Sequence, residues 1–300
     1  MCTFMSVKKA YQTLIITVIF MMATIILYAL NVSKLALSWG MTGFVVATIF
    51  SLLSVVLSIK EGKHDRDITQ GIWAKYRFEV LDWFTFLSVS LMGIFMVFMF
   101  FILPSDVQHS SMMPTLSEND RILVYHFKYQ PKRGDIIIIR ITQESYPLVP
   151  SSMFIERDNH GIIETTHDEI FFVKRIYAIS GDQLRFVNYN ESTATYEIEI
   201  NGTVVIAPTE EPYYVTSGQM DIMLEGLENG RVKEGRYFAF GDNANGYGLF
   251  PASYDTRSFG ALYEKDIVGK AIYRLWPLGG LSWWNKSNGF QAICSNRSKK

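Results

Sequence analysis

Residues 84–103 read FTFLSVSLMGIFMVFMFFIL, twenty positions without a single charge. At 1.5 Å per residue a helix of this length reaches about 30 Å, the thickness of a bilayer's hydrocarbon core. The charge-free window around it runs from Trp83 to Ser105. Two more lie upstream. No charge occurs between Lys9 and Lys34, with Leu14–Leu30 nearly all apolar, and a further window covers Leu35–Ile59. Lipid offers the backbone no hydrogen-bond partner, so such segments must be helical. The reading is three transmembrane helices, at about 14–30, 37–59 and 84–103, forming a membrane anchor over residues 1–105. The first apolar run is longer than the core of a cleaved leader.

The basic residues of the short loops set the orientation. The N-terminal segment carries Lys8 and Lys9, and the first loop only Lys34. The second loop carries Lys60, Lys63, Arg66, Lys75 and Arg77. The N-terminus and second loop are therefore expected in the cytoplasm and everything after the third span outside it. Cys2 and Cys294 then fall on opposite sides of a membrane, and no disulfide is expected between them.

Residues 106–300 change character. Short β-rich runs, Ile136–Ile141, Phe171–Ile179, Gln183–Asn188, Tyr196–Ile200, Thr203–Ala207, Arg236–Phe240 and Ile267–Trp276, alternate with turn signals such as Ser180-Gly181-Asp182 and Asn201-Gly202. The pattern predicts a mostly antiparallel β domain without a long helix, in which residues 142–170 form an inserted hairpin or loop. A net charge of −1 gives no basic field for nucleic acid, and no Cys/His cluster suggests a metal; no cofactor is expected.

Within this domain, His109-Ser110-Ser111-Met112-Met113-Pro114-Thr115 follows the third span closely. Lys174, in Phe172-Val173-Lys174-Arg175-Ile176-Tyr177, shares a strand face with apolar Phe172 and Ile176. A Lys held on an apolar face has a lowered pKa and becomes usable as a general base. On an edge strand it would instead reach out to solvent. Gly241-Asp242-Asn243 and Ser253-Tyr254-Asp255-Thr256-Arg257 complete the set of charged residues among turns. A Ser-His-Asp triad is the rival chemistry, since His109 lies two residues from Ser111, but no Asp is obviously placed to orient it.

In this order, behind membrane spans, the segments resemble type I bacterial signal peptidases of the Ser/Lys class. The match covers Ser111-Met112-Met113-Pro114-Thr115, Lys174-Arg175 with Gly181-Asp182, Gly241-Asp242-Asn243, Ser253 to Gly260, and the closing Gly269-Lys270-Ala271 and Trp276-Pro277-Leu278. The resemblance implies Ser111 as nucleophile, Lys174 as general base and Ser253 as the hydroxyl orienting the Lys amine. It implies Arg175 and Asp242 as a supporting ion pair, and Asp255 and Arg257 as a structural one. The implied substrates are the signal peptides of exported pre-proteins, with small residues before the cut, and the implied location is the bacterial cytoplasmic membrane with the catalytic domain outside.

Three departures stand out. His109 occupies a position where the family has Ser or Gly and which helps form the oxyanion hole. A longer stretch, including Gly246, Gly248 and Pro251, separates Asn243 from Ser253. Thr256 replaces the usual Ser. In an extended segment His109 and Ser111 would face the same cleft, making His109 a candidate oxyanion donor; the alternative is that His109 points to solvent or headgroups and only the backbone N–H of Ser111 serves. The alternative function is a catalytically inert, membrane-anchored homologue that binds pre-proteins or envelope partners. Trp276, Trp283 and Trp284 suit a headgroup-level contact with the bilayer. The sequence carries no indication of oligomeric state.

Overall fold

In the computed structural model the described residues are 3–34, 37–64, 72–157, 163–246 and 252–276. Cys2, Arg66, Gly248, Pro251, Trp283, Trp284 and Cys294 lie outside them. The chain forms two compact units, Met1–Leu103 and Pro104–Lys300.

The first unit consists of α1 (Thr3–Ala29), α2 (Ser38–His64) and α3 (Ile72–Phe100). Each contains a stretch long and apolar enough to cross a membrane: Lys8–Ala29, Ser38–Lys60 and Glu79–Phe100. Their side chains are sorted opposite to those of a water-soluble bundle. Ile15, Ile19, Ile26, Val56 and Phe86 are exposed, while Thr17, Ser51, Ser54 and Ser88 are buried. The buried hydroxyls bond between helices, Thr17 to Ser51 at 2.7 Å and Thr85 to Ser54 at 3.1 Å. Where lipid removes the hydrophobic drive for association, such bonds and close packing hold helices together. Gly43 supplies the close packing between α2 and α3, since a Cβ there would lie 2.4 Å from the Phe95 ring. Lys9 of α1 and Asp82 of α3 form an ion pair.

The second unit is a mostly antiparallel β domain. Its strands are β1 (Ile102–Asp106), β2 (Arg121–Tyr125), β3 (Ile136–Thr142), β4 (Ile155–Arg157), β5 (Ile163–Thr166), β6 (Glu169–Ala178), β7 (Leu184–Asn190) and β8 (Thr195–Ile200). They continue with β9 (Thr203–Val204), β10 (Tyr214–Thr216), β11 (Leu227–Glu228), β12 (Arg231–Val232), β13 (Arg236–Phe240), β14 (Leu262–Tyr263) and β15 (Ile267–Trp276). The main sheet has the order β1-β2-β15-β3-β6-β13-β14, and β10-β8-β7, with β9 on β8, forms a smaller one. Within the 142–170 stretch, β4 and β5 pair as an antiparallel hairpin.

β6 and β13 run between two cores. Tyr177, Phe238 and Phe240 enter one, with Tyr213 and Met223; Ile176, Tyr237 and Ala239 enter the other, with Ile137 and Phe259. Strand alternation produces this division. It also places Lys174 on the Ile176 side and Arg175 on the Tyr177 side, both buried.

The observed strands depart from expectation in places. The Thr203–Ala207 run is strand only to Val204; Ala207 instead bonds back from its N–H to Glu211 O, turning the chain at Pro208. The domain also contains two short helices, α4 (Ser217–Leu224) and α5 (Thr256–Phe259), that periodicity did not reveal.

Candidate active site

Ser111 sits in a single 3-10 turn, Ser110–Met112, and is half-buried. The turn is anchored by its apolar residues, since Met112 and Leu116 are fully buried. The N–H of Met113 donates to Ser110 O and that of Leu116 to Met112 O. This local folding aims the Ser111 hydroxyl at β6, where the Lys174 Nζ lies 2.7 Å from Ser111 Oγ.

Lys174 is 3% exposed. β6 is flanked by β3 and β13, so the edge-strand alternative, with the amine reaching solvent, does not apply. Its cross-strand neighbour is the fully buried Ile137, and its amine lies 5.4 Å from the centre of the Phe172 ring. Burial lowers the Lys174 pKa to about 8, with Arg257 acting in the same direction and Asp255 and Asp242 opposing.

The flanking charges are paired. Arg175 grips Asp242 with two bonds, Nε to Oδ1 at 2.8 Å and Nη2 to Oδ2 at 2.6 Å, with Asp242 fully buried. The same guanidinium donates to Gly134 O at 3.3 Å and to Thr115 Oγ1 at 3.5 Å. It therefore connects β6, the turn after β13 and the Ser111 segment. Asp255 and Arg257 form a second bidentate pair, at 2.9 and 3.0 Å. Asp255 also accepts from the N–H of Gly241 at 2.9 Å, and Arg257 donates to Ala244 O and Ser253 O.

Ser253 is held by its backbone: its N–H donates to Asn243 O at 2.8 Å. Its hydroxyl is buried and makes no hydrogen bond among the described residues. The expected bond from Ser253 to the Lys174 amine is thus not formed. The amine points at Ser111, and the Ser253 hydroxyl packs against Gly241, where a Cβ would lie 2.1 Å from it. His109 has the placement of the solvent-facing reading. It precedes the turn, is exposed, and its side chain makes no hydrogen bond among the described residues. Because Ser111 stands in a 3-10 turn rather than an extended segment, the two-residue alternation that would aim both side chains into one cleft is lost.

Gly241 and Asn243 were legible only as parts of a turn, yet both shape the site. A Cβ on Gly241 would also lie 2.4 Å from Ser111 O, so only a residue without one lets the two segments meet. Asn243 braces the Ser111 turn, its N–H donating to Ser111 O at 3.1 Å and its amide to Ser110 O at 3.4 Å. Among the described residues no cluster of His, Cys, Asp or Glu could hold a metal ion.

A hydroxyl hydrogen-bonded to a buried, partly neutral amine is the arrangement of a base-activated nucleophile. Residues 80–276 match the family described as signal peptidase, peptidase S26. The chain belongs to that family. It is 25% identical over 218 residues to signal peptidase IB of Staphylococcus aureus (strain COL), covering 66% of this chain and 91% of that protein. It is 27% identical over 179 residues to signal peptidase I of Leptolyngbya laminosa, covering 58% and 69% respectively. Membership in this peptidase family accords with signal-peptide removal and with the three apolar helices of the first unit.

Proposed function

We propose that the protein is a membrane-bound serine endopeptidase that removes signal peptides from exported pre-proteins, with Ser111 as nucleophile and Lys174 as general base. The observation that carries the reading is the 2.7 Å contact between Ser111 Oγ and a lysine amine that burial has brought to a pKa of about 8. When Lys174 is charged it donates to Ser111. When it is neutral the hydroxyl donates instead, and the amine takes its proton as Oγ attacks the scissile carbonyl. The resulting ammonium protonates the departing amine, leaving an acyl-enzyme ester on Ser111. Neutral Lys174 then draws a proton from water as its oxygen attacks the ester carbonyl, and gives that proton to Ser111 Oγ as the acyl group leaves. The N–H of Ser111 lies in the first turn of its helix, where N–H groups lack intrahelical acceptors, and is the first oxyanion donor.

The Arg175–Asp242 and Asp255–Arg257 pairs hold the strands and turns that carry this dyad. The loop charges support a multi-pass location in the bacterial cytoplasmic membrane with residues 104–300 outside the cytoplasm. Purified full-length protein should cleave a model pre-protein, a Ser111→Ala variant should not, and a serine-acylating inhibitor should label Ser111. Cleavage that survives in Ser111→Ala would overturn the assignment. Failure of both cleavage and labelling would favour the inert, pre-protein-binding homologue.

A further inference from the structure

Away from the dyad, the main sheet carries a cleft of about 370 Å³ lined by Tyr125, Lys128, Tyr129, Lys132, Asp135 and Lys270. Its floor is a completed polar cluster. Asp135, 3% exposed, accepts from Lys270 Nζ at 2.8 Å and from the Tyr129 hydroxyl at 2.8 Å, so both its oxygens are engaged. Burial and the Asp135 carboxylate push the Tyr129 phenol up, which keeps it protonated as a donor. The rim is different. Lys128 and Lys132 are exposed, and neither ammonium has a carboxylate or hydrogen-bond partner among the described residues. Lys128 stands at φ +42°, a backbone conformation uncommon for a residue with a side chain, in the turn that carries it to the rim. The lining holds three cations against one carboxylate, and that carboxylate is already spoken for by Lys270.

The position of the cleft in the chain indicates what the rim meets. Asp106 of β1 and Arg121 of β2 form an ion pair where the two neighbouring strands are joined by the Ser111 loop. The start of β1 and the end of β2 at Tyr125 are therefore at one end of the sheet, and Lys270 of β15 is in register with Tyr125. In the chain only Phe101 lies between the end of α3 at Phe100 and the start of β1 at Ile102. In a chain that carries three helices long and apolar enough to cross a membrane, a cationic rim is complementary to the anionic surface of a bilayer.

We propose that Lys128 and Lys132, above the Lys270–Asp135–Tyr129 floor, bind the phosphate of an anionic phospholipid headgroup. The two ammonium groups pair with the phosphate oxygens, and the floor, with no spare acceptor facing the rim, adds no repulsion. This site is separate from the proposed dyad and does not depend on it.

The test uses the full chain in neutral detergent, titrated with phosphatidylglycerol or phosphatidylcholine and read by native mass spectrometry. Neutralising two interfacial lysines, Lys128→Gln with Lys132→Gln, should weaken phosphatidylglycerol binding about 30-fold. Phosphatidylcholine binding should stay unchanged. Lys128→Arg with Lys132→Arg should retain phosphatidylglycerol binding, because the charge remains. Lys233→Gln with Lys265→Gln, both exposed elsewhere on the domain, is the control for diffuse attraction and should stay within twofold. An equal loss in the control, or no loss in the cleft variant, would overturn the site. Displacement of the lipid by millimolar inorganic phosphate would overturn the lipid assignment in favour of a free-anion site.

Discussion

Lys174 is the residue on which chemistry and stability meet. With its pKa near 8, only about a tenth of the protein carries the neutral amine at pH 7. Cleavage should therefore rise with pH and level off above a midpoint near 8, as a pH profile of kcat/KM would record. Lys174→Arg cannot deprotonate at any accessible pH, and should be inactive despite its similar size and charge. The same shift bears on folding. The ordinary value is 10.5, so between about 8 and 10.5 the unfolded chain binds more protons and stability rises with pH. Below about 8 the native state carries the whole burden of a buried charge. Lys174→Met should then raise the melting temperature of the full-length protein at pH 7, removing up to about 3 kcal/mol, while abolishing cleavage. A variant that melts lower would mean the amine is compensated by groups beyond Asp255 and Asp242. The serine register is testable in the same way. Ser110 braces the turn only through its backbone O, so Ser110→Ala should keep activity where Ser111→Ala loses it. The exposed His109 should also be dispensable, with His109→Ala within a few-fold of wild type; a loss of roughly 10²–10³ would make it an oxyanion donor after all. The strand around Lys174 was legible because the Phe172, Lys174, Ile176 alternation is a local property. The 3-10 turn at Ser111 was not, because burial of Met112 and Leu116 decides it, and that is a tertiary fact.

Among the elements, β6 and the turn after β13 depend on each other. Asp242 is fully buried and answers a guanidinium that is itself 8% exposed. Replacing it by Asn would leave Arg175 charged and uncompensated in the interior, a change that typically destabilises by about 3–5 kcal/mol. Asp242→Asn should lower the melting temperature and the activity together, whereas Lys174→Met separates them. Gly241→Ala makes a different demand. Its added methyl would meet Ser253 Oγ and, at 2.4 Å, the backbone O of Ser111. Shortening Ser253 relieves only the first clash. Gly241→Ala should therefore stay inactive even when combined with Ser253→Gly, and activity in the double variant would show that the Ser111 turn can retreat. Strands of five or more residues that form apolar, β-branched or aromatic runs between turn signals, such as β3, β13 and β15, could be read directly. Two- and three-residue strands such as β11, β12 and β14 are too short to show a period. Helix α4 begins with a capping box, Thr216 and Gln219, a signal present in the sequence, but eight residues give too little periodicity to support it.

For the whole molecule, the two units sort their side chains in opposite ways. The β domain buries its isoleucines and aromatic residues and pairs its interior charges, as a water-facing domain must. The helical unit exposes Ile15, Ile19, Val56 and Phe86 and buries Thr17, Ser51 and Ser54, which is favourable only if the surroundings are apolar. Hydropathy made this contrast visible in the sequence because it is a property of composition over long windows. The proposed orientation rests on a separate asymmetry, the clustering of Lys60, Lys63, Arg66, Lys75 and Arg77 between the second and third apolar stretches, where all but Arg66 belong to the ends of α2 and α3, against Lys34 alone between the first and second. A reporter active only in the cytoplasm should be silent when fused after Leu116 and active when fused within the loop after Lys60. The proposed reaction requires this arrangement, since a signal peptide is cut after its pre-protein has crossed the membrane. Replacing the second-loop basic residues by neutral ones while adding lysines beside Lys34 should weaken the orientation and lower the processed fraction of a pre-protein in cells. Cytoplasmic activity of the Leu116 fusion in the unaltered chain would place Ser111 and Lys174 on the side where no exported substrate emerges, and would remove the export function while leaving the dyad chemistry intact.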